Sequence, residues 1–159
     1  MNLERAAIER SVHSAVARMR GEPGPLLEIL HAVQNDLGCV PPESVALIAT
    51  ALNISRAEVH GVVSFYHHFR EKRAGEHTIQ LCRAEACQAM QGEAVAEFAK
   101  RRLQIGFGET RRDGKVTLDA VYCLGNCACA PSAMIDGELR GRVDEKTLAE
   151  CADAWGVPA

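Results

Sequence analysis

Two pairs of cysteines constrain the fold of this chain more than any other feature of its sequence. Four residues separate Cys82 from Cys87, and three residues separate Cys123 from Cys127. Each pair begins where a segment of alternating apolar and polar residues ends, and alternation with period two predicts a β-strand. Because neighbouring strands of a sheet lie about 4.8 Å apart, two strand-end loops can converge on one site. The pattern therefore predicts a sheet that carries four thiols at one end.

Four converging thiols favour a metal site over other uses of cysteine. A rhombic two-iron cluster suits them, because each iron needs two thiolates in tetrahedral geometry. A structural zinc site also uses cysteine pairs at similar spacings, so the residues alone leave zinc open. Gly125 and Asn126 tolerate positive φ, and such turns aim backbone N–H groups inward at sulfur. No pair has the Cys-x-x-Cys spacing of thiol–disulfide catalysts.

Composition excludes several classes of protein. The seven cysteines are an odd number, and the segment MNLERAAIERSVHSAVARMR mixes charges where a secretory signal would be apolar. We therefore expect a cytoplasmic chain with reduced thiols rather than a disulfide framework. A net charge of −3, with both signs interspersed, argues against nucleic-acid binding. No apolar run reaches about 18 residues, so we expect no transmembrane helix and no membrane contact.

The periodicity predicts an α+β chain in two parts, divided near residue 72. Residues 1–72 form an N-terminal four-helix region, with a helix start at Ser55, three residues before Glu58. Residues 73–159 form an α/β unit whose order of elements resembles the thioredoxin-like fold. Its predicted elements are a strand at 77–82, a helix at 88–104, a strand at 115–123, a hairpin around Asp136-Gly137 and a helix after Asp144 that carries Trp155 toward the sheet.

The helices of the first part are predicted to bury one apolar face each. On the first helix, at about 3–20, that face is Leu3, Ala6, Ala7, Val12, Val16 and Met19. The fourth helix is predicted to run to Phe69 and to carry His60, His67 and His68 as surface or interface groups. Residues one apart on a helix point about 100° apart, so the last two cannot share a face. Its apolar residues, expected toward the core or a partner, are Val62, Val63, Phe65, Tyr66 and Phe69.

The motifs together resemble a known family. Cys-x4-Cys followed by Cys-x3-Cys, with Leu-Gly inside the second pair and Ala-Pro soon after it, is specific to the 24-kDa-type 2Fe–2S subunit of respiratory complex I and NAD-linked hydrogenases and formate dehydrogenases. Other family-like segments are LLEILHAVQNDLGCVPPE and ISRAEVHGVVSFYHHF. The resemblance implies a thioredoxin-like 2Fe–2S ferredoxin domain and no catalytic residues. Its implied cluster ligands are Cys82, Cys87, Cys123 and Cys127. It leaves Cys129 as a spare thiol.

The stretch CRAEACQAM looks most like the gamma subunit of the soluble NAD-dependent molybdenum formate dehydrogenase. That resemblance implies a non-catalytic electron-transfer subunit with a flavin- and NAD-binding partner subunit and a molybdenum-cofactor catalytic subunit. The chain itself has no Gly-rich nucleotide loop, so we expect neither NAD nor FMN to bind it. Residues 1–72 add helical surface beyond what a minimal ferredoxin needs, which suggests docking. The alternatives are the equivalent subunit of complex I or an NAD-linked hydrogenase, and a free-standing ferredoxin.

The assignment of Cys127 rather than Cys129 as a ligand makes a prediction. The substitution Cys129→Ser should leave the cluster intact, whereas Cys127→Ser should lose or badly distort it, because an alcohol replaces a ligand thiolate. Iron content and the EPR signal of the dithionite-reduced protein measure this. The reverse pattern in the two variants would contradict the assignment.

Overall fold

The computed structural model describes residues 4–158, which divide into two compact units between Arg73 and Ala74. The first unit holds four helices, α1 Arg5–Arg18, α2 Leu26–Leu37, α3 Pro42–Leu52 and α4 Arg56–Phe65. The second holds β1 His77–Cys82, α5 Glu85–Ala89, α6 Gly92–Leu103, β2 Glu109–Thr110, β3 Val116–Val121, a 3-10 turn Cys127–Cys129, β4 Ser132–Ile135, β5 Glu138–Gly141 and α7 Glu145–Ala154. The predicted α+β class is confirmed.

Local signals in the first unit end and begin helices, and the helix start predicted at Ser55 is present. Gly38 closes α2 in the left-handed conformation, with φ of 77°. Pro42 occupies the first turn of α3, where its missing N–H has no cost. Ser55 and Glu58 form a reciprocal capping box at the start of α4. The core of this unit includes the buried residues Ile8, Val12, Ala15, Ile29, Leu30, Val33, Ile48, Val59 and Val63.

Two predictions for the first unit are wrong in part. The buried stripe of α1 is centred on Ile8, Val12 and Ala15, while the predicted Ala6 is exposed. The prediction also named Leu3, which lies outside the described residues. The apolar residues of α1 recur at both three and four positions, so the sequence is compatible with two overlapping stripes, and packing against α2 and α3 selects one.

The fourth helix ends at Phe65 rather than Phe69. His67 and His68 follow it in a turn, where the amide of Gln34 bonds the carbonyl of His68 at 2.9 Å. This long-range contact from α2 replaces the helical hydrogen bonds of the next turn. Phe69 is buried as predicted, but the side chain of Phe65 is 74% exposed.

The second unit is a mixed five-stranded sheet in the order β2-β3-β1-β4-β5. The central strands β1 and β3 are parallel, in register from His77 opposite Val116 to Cys82 opposite Val121. The other neighbours are antiparallel. Helices α6 and α7 share one apolar core with the sheet, in which Leu118 is completely buried. None of the helices within residues 4–158 is long and apolar enough to cross a bilayer.

The predicted helix at 88–104 is in fact two helices. A left-handed residue, Gln91 with φ of 65°, separates α5 from α6. Gly92 permits this break because a Cβ there would lie 2.5 Å from the carbonyl oxygen of Cys87. The short strand β2 was not predicted, since two residues of turn-rich sequence carry no periodic signal.

The end of the chain follows its local signals. The turn at Asp136-Gly137 has positive φ at both residues, the type I′ geometry that joins β4 to β5. Asp144 caps α7 by accepting a hydrogen bond from the Thr147 N–H at 2.8 Å. Trp155 is partly buried, and its ring stacks on the ring of His77 with centroids 4.3 Å apart.

The buried position of Leu118 on β3 makes a prediction for stability. Leu118→Ala should lower the free energy of unfolding of the second unit by about 2–5 kcal/mol, because it opens a cavity in a packed core. Leu139→Ala is the matched control on β5, where the side chain is 49% exposed, and should change it little. Fluorescence of Trp155, the only tryptophan, reports unfolding of this unit in urea. Equal effects of the two substitutions would contradict the core described above.

Candidate metal centre

The parallel pairing of β1 with β3 brings the two cysteine loops to the same end of the sheet. Cys82 is the last residue of β1 and lies opposite Val121, so Cys123 follows two residues beyond the pair. The ladder continues past the strands, since the Arg83 N–H donates to the Val121 carbonyl at 2.7 Å. The predicted convergence of the two strand-end loops is therefore present.

The antiparallel strand β4 supplies the other side of the site. It pairs with β1 so that Ala133 lies opposite Leu81, which places the start of β4 at the same end of the sheet. The segment that leads into it contains Cys127. Three consecutive positions in the sheet, β3, β1 and β4, thus deliver the cysteine segments to one place.

The sequence predicts an open loop at Cys87. In the structure, Cys87 lies instead on the short helix α5. Its N–H bonds the Ala84 carbonyl at 3.0 Å, and the Gln88 amide bonds the Arg83 carbonyl at 2.7 Å. These bonds fold the segment between the first two cysteines tightly. Cys82 and Cys87 are both buried, and Ala130 packs in the same small cluster.

The second pair of cysteines is exposed. The sulfur atoms of Cys123 and Cys127 lie 3.8 Å apart. Cys123 has φ of 85° and Gly125 has φ of 76°, so the turn contains two left-handed residues. In this turn the Gly125 N–H points at the Cys123 sulfur, with nitrogen and sulfur 3.4 Å apart. The loop therefore turns a backbone donor inward, as predicted. The positive φ expected at Asn126 is absent, since its φ is −107°, and Cys123 takes the left-handed conformation instead.

Backbone donors are concentrated on Cys82. Burial raises the pKa of this thiol, but hydrogen bonds from the Ala84 N–H, the Cys87 thiol and the N–H groups of Cys123 and Leu124 lower it, and the net pKa lies below its ordinary value. Donors from both loops thus meet at one sulfur. A sulfur in such a setting is stabilised as a thiolate, the form that binds metals.

The thiols of Cys87 and Cys127 oppose further negative charge. Burial raises the pKa of Cys87 most, and its hydrogen bond with Cys82 and the charges of Cys82 and Cys127 raise it further. The hydrogen bond and charge of Cys123 raise the pKa of Cys127. Like charges from both loops therefore act on one another across the site. A metal cation bound here would offset this repulsion.

The thiols of the site meet two by two. Cys82 forms a hydrogen bond with Cys87, and the sulfur of Cys123 lies beside that of Cys127. Four sulfurs with inward backbone donors form a donor set that fits a cluster of two irons, in which each iron takes two thiolates.

Cys129 lies against the strand β5. A Cβ added at Gly141 of β5 would lie 2.5 Å from the Cys129 Cβ, so this side chain sits directly on the strand. The carbonyl of Cys129 accepts a hydrogen bond from the Arg142 N–H at 2.7 Å. The remaining cysteines, Cys39 and Cys151, have pKa values raised by burial and lie in the first unit and on α7 respectively.

Ser132 joins the two halves of the site and was not predicted. Its N–H donates to the Cys87 sulfur, and its hydroxyl bonds the carbonyls of Asn126 at 3.2 Å and Cys129 at 3.3 Å. The side chain is buried at the first residue of β4. No sequence pattern marks the serine after Ala-Pro as a site residue. Its place beside Cys87 depends on the pairing of the strands, so it could not be predicted from the sequence.

Several known proteins resemble this chain along most of its length. Residues 12–155 match the family described as thioredoxin-like [2Fe-2S] ferredoxin. The chain is 34% identical over 152 residues to a subunit of the NADH-quinone oxidoreductase of Pseudomonas aeruginosa, an alignment that covers 96% of this chain and 89% of the relative. It is 32% identical over 145 residues to the HndA subunit of the NADP-reducing hydrogenase of Solidesulfovibrio fructosivorans, covering 89% of this chain and 85% of the relative.

A solved structure shows the same fold. An NAD+-reducing [NiFe]-hydrogenase in the H2-reduced state aligns with a TM-score of 0.71 and 21% identity. The alignment covers 84% of this chain but only 22% of the hydrogenase chain.

The close contact between Gly92 and Cys87 makes a prediction. Gly92→Ala should displace Cys87 and cost about 1–3 kcal/mol of stability, because the new Cβ would lie 2.5 Å from the Cys87 carbonyl oxygen. In the metal-free protein, the Cys87 thiol should then react faster with a thiol reagent, as measured by mass spectrometry of labelled peptides. Gly61→Ala is the control, since a Cβ there meets nothing within 4 Å. Unchanged labelling in Gly92→Ala would refute the positioning role of this glycine.

Proposed function

Because the chain belongs to the thioredoxin-like [2Fe-2S] ferredoxin family, we propose that its four converging thiols hold the family's 2Fe–2S cluster and that the chain passes single electrons within a larger oxidoreductase. The cofactor of the family is one 2Fe–2S cluster. The proposed ligands are Cys82, Cys87, Cys123 and Cys127. The observation that carries the proposal is the meeting of the two cysteine loops at the ends of β1 and β3.

The unequal burial of the two cysteine pairs supports electron transfer. Cys82 and Cys87 are buried, whereas Cys123 and Cys127 are exposed. A cluster held by both pairs would be anchored in the protein on one side and reach the surface on the other. The exposed side offers a partner cofactor a short path for an electron, while the buried side and its N–H donors influence the potential.

The identity of the complex is a finer proposal. Relatives are named as subunits of NADH-quinone oxidoreductase and of an NADP-reducing hydrogenase. The loop CRAEACQAM favours a cytoplasmic NAD-dependent formate dehydrogenase. There the chain would exchange electrons with a flavin- and NAD-binding subunit, alongside a molybdenum-cofactor catalytic subunit. The subunit of complex I or of an NAD-linked hydrogenase is the alternative, and the relatives fit it equally well.

The two units have separate proposed roles. Residues 73–159 would hold the cluster, and the helices of residues 1–72 would dock to partner subunits. The exposed Phe65 and half-exposed Tyr66 at the end of α4 support docking, because large apolar side chains exposed together are typical of interaction surfaces.

The nature of the metal gives the first test. The purified full chain should contain about two irons and two acid-labile sulfides, and dithionite should produce a rhombic S = 1/2 EPR signal. Cys82→Ser should lose most of this signal, because it removes a thiolate at the point where the backbone donors converge. Zinc without the EPR signal would overturn the proposed function.

Co-purification tests the partners. The chain, tagged and expressed in its native host, should be isolated with a flavoprotein and a molybdenum-containing subunit. The flavoprotein follows from the electron-transfer role, and molybdenum from the formate dehydrogenase assignment. A quinone-linked assembly or a hydrogenase in place of the molybdenum subunit would move the assignment to the alternative. A stable monomer with no flavoprotein bound would contradict the subunit role and favour a free-standing ferredoxin.

A further inference from the structure

An arginine directly after the first proposed ligand is held by contacts with α6 and with Phe107. Arg83 follows Cys82 immediately beyond the end of β1. Its guanidinium donates to the carboxylate of Glu93, and its Cζ lies 5.1 Å from the ring centroid of Phe107. Only 19% of the Arg83 side chain is exposed, so this permanent charge is held largely out of water.

Stability alone does not account for this arrangement. A partly buried ion pair contributes little to folding, because the desolvation of the charges offsets their attraction. The Nε–H of Arg83 is buried without a hydrogen-bond partner within the described chain, which adds a further cost. An apolar side chain would cover Phe107 without either penalty. Glu93 has a local reason for its position, since it lies in the first turn of α6.

Both charges are anchored beside the proposed ligands. The N–H of Arg83 bonds Val121, and its carbonyl accepts the amide of Gln88 on α5, so its backbone is held at both polar groups. Glu93 follows Gly92, the residue in direct contact with the carbonyl of Cys87. Arg83 is thus adjacent in sequence to the buried Cys82. Glu93 is adjacent in sequence to Gly92, whose backbone lies against that of Cys87.

A fixed charge at this place acts on reduction. With four thiolates, an oxidised 2Fe–2S cluster carries about two negative charges and a cluster that has accepted one electron about three. A nearby cation stabilises the added charge and raises the potential, and an anion lowers it. Glu93 is more exposed than Arg83, at 57% of its side chain, so water and salt screen it more strongly.

We propose that Arg83 and Glu93 form a charge pair that sets the reduction potential of the cluster, Arg83 raising it and Glu93 offsetting part of that effect. Both are positioning residues that act through the field at the site and are not among the proposed cluster ligands. This inference rests on the proposed function, since it requires a cluster on the cysteines of this unit.

The test is an EPR-monitored redox titration of the cluster-loaded full chain, in which dithionite supplies one electron per cluster. Arg83→Gln should shift the midpoint potential to a more negative value. Glu93→Gln should shift it to a more positive value, and by less. Arg83→Lys keeps the charge and should stay closer to the wild-type potential than Arg83→Gln. If the pair only held the structure in place, loss of either residue would shift the midpoint potential in the same direction.

The pair formed by Arg102 and Asp153 is a matched control. Its side chains are 11% and 72% exposed, a similar asymmetry, but Arg102 lies nine residues beyond Glu93, about 13 Å along α6. Arg102→Gln and Asp153→Asn should leave the midpoint potential unchanged.

The outcomes separate this inference from the proposed function. A wild-type chain that holds no 2Fe–2S cluster refutes the proposed function itself. A loaded wild type whose Arg83→Gln and Glu93→Gln variants shift the same way, or not at all, overturns the charge pair alone. If Arg83→Gln does not take up the cluster, the other two variants test the charge pair. A positive shift of the midpoint potential in Glu93→Gln and a potential close to wild type in Arg83→Lys would support it. The charge of Arg83 is retained in Arg83→Lys. If the midpoint potential of Arg83→Lys differs from that of the wild type by more than the potential of Glu93→Gln does, charge is not the cause.

Discussion

The site depends on the parallel pairing of β1 with β3. Parallel strands end at the same edge of a sheet, and the register that sets Cys82 opposite Val121 brings Cys123 to the same edge. An antiparallel pairing of these two strands would carry the second cysteine loop to the far end of the sheet. The antiparallel strand β4, on the other side of β1, then returns the segment with Cys127 to this edge. The buried residues of the sheet, with Leu118 at their centre, hold this register because a slip of one residue would turn the apolar side chains out of the core.

Electrostatics determine what the assembled site can hold. Burial raises the pKa of Cys82, but donors from both loops lower it below its ordinary value. Burial and the neighbouring thiols raise the pKa of Cys87, and the thiol of Cys123 raises the pKa of Cys127. Negative charge is therefore favoured at Cys82 and opposed at Cys87 and Cys127, and a bound metal cation would offset that opposition.

Much of the fold could be predicted because its signals are local. The capping box at Ser55, the left-handed stop at Gly38 and the Asp136-Gly137 turn each depend on a few adjacent residues. The same holds for the cysteine loops, since alternation and spacing lie in the sequence. The features that could not be predicted depend on contacts between distant segments. Gln34 of α2 redirects the chain after Phe65, Ser132 reaches Cys87 only through the sheet, and the fit of Gly92 against Cys87 breaks one predicted helix into two.

The proposed function requires that two strand-end loops share one cluster through two pairs of thiols. A crystal structure of the iron-loaded full chain, with anomalous data at the iron edge, would show whether they do. We expect two neighbouring iron positions at the ends of β1 and β3, bound by the sulfurs of Cys82, Cys87, Cys123 and Cys127, with Cys129 still packed on β5. A single metal position, or iron bound to the sulfur of Cys129, would contradict it.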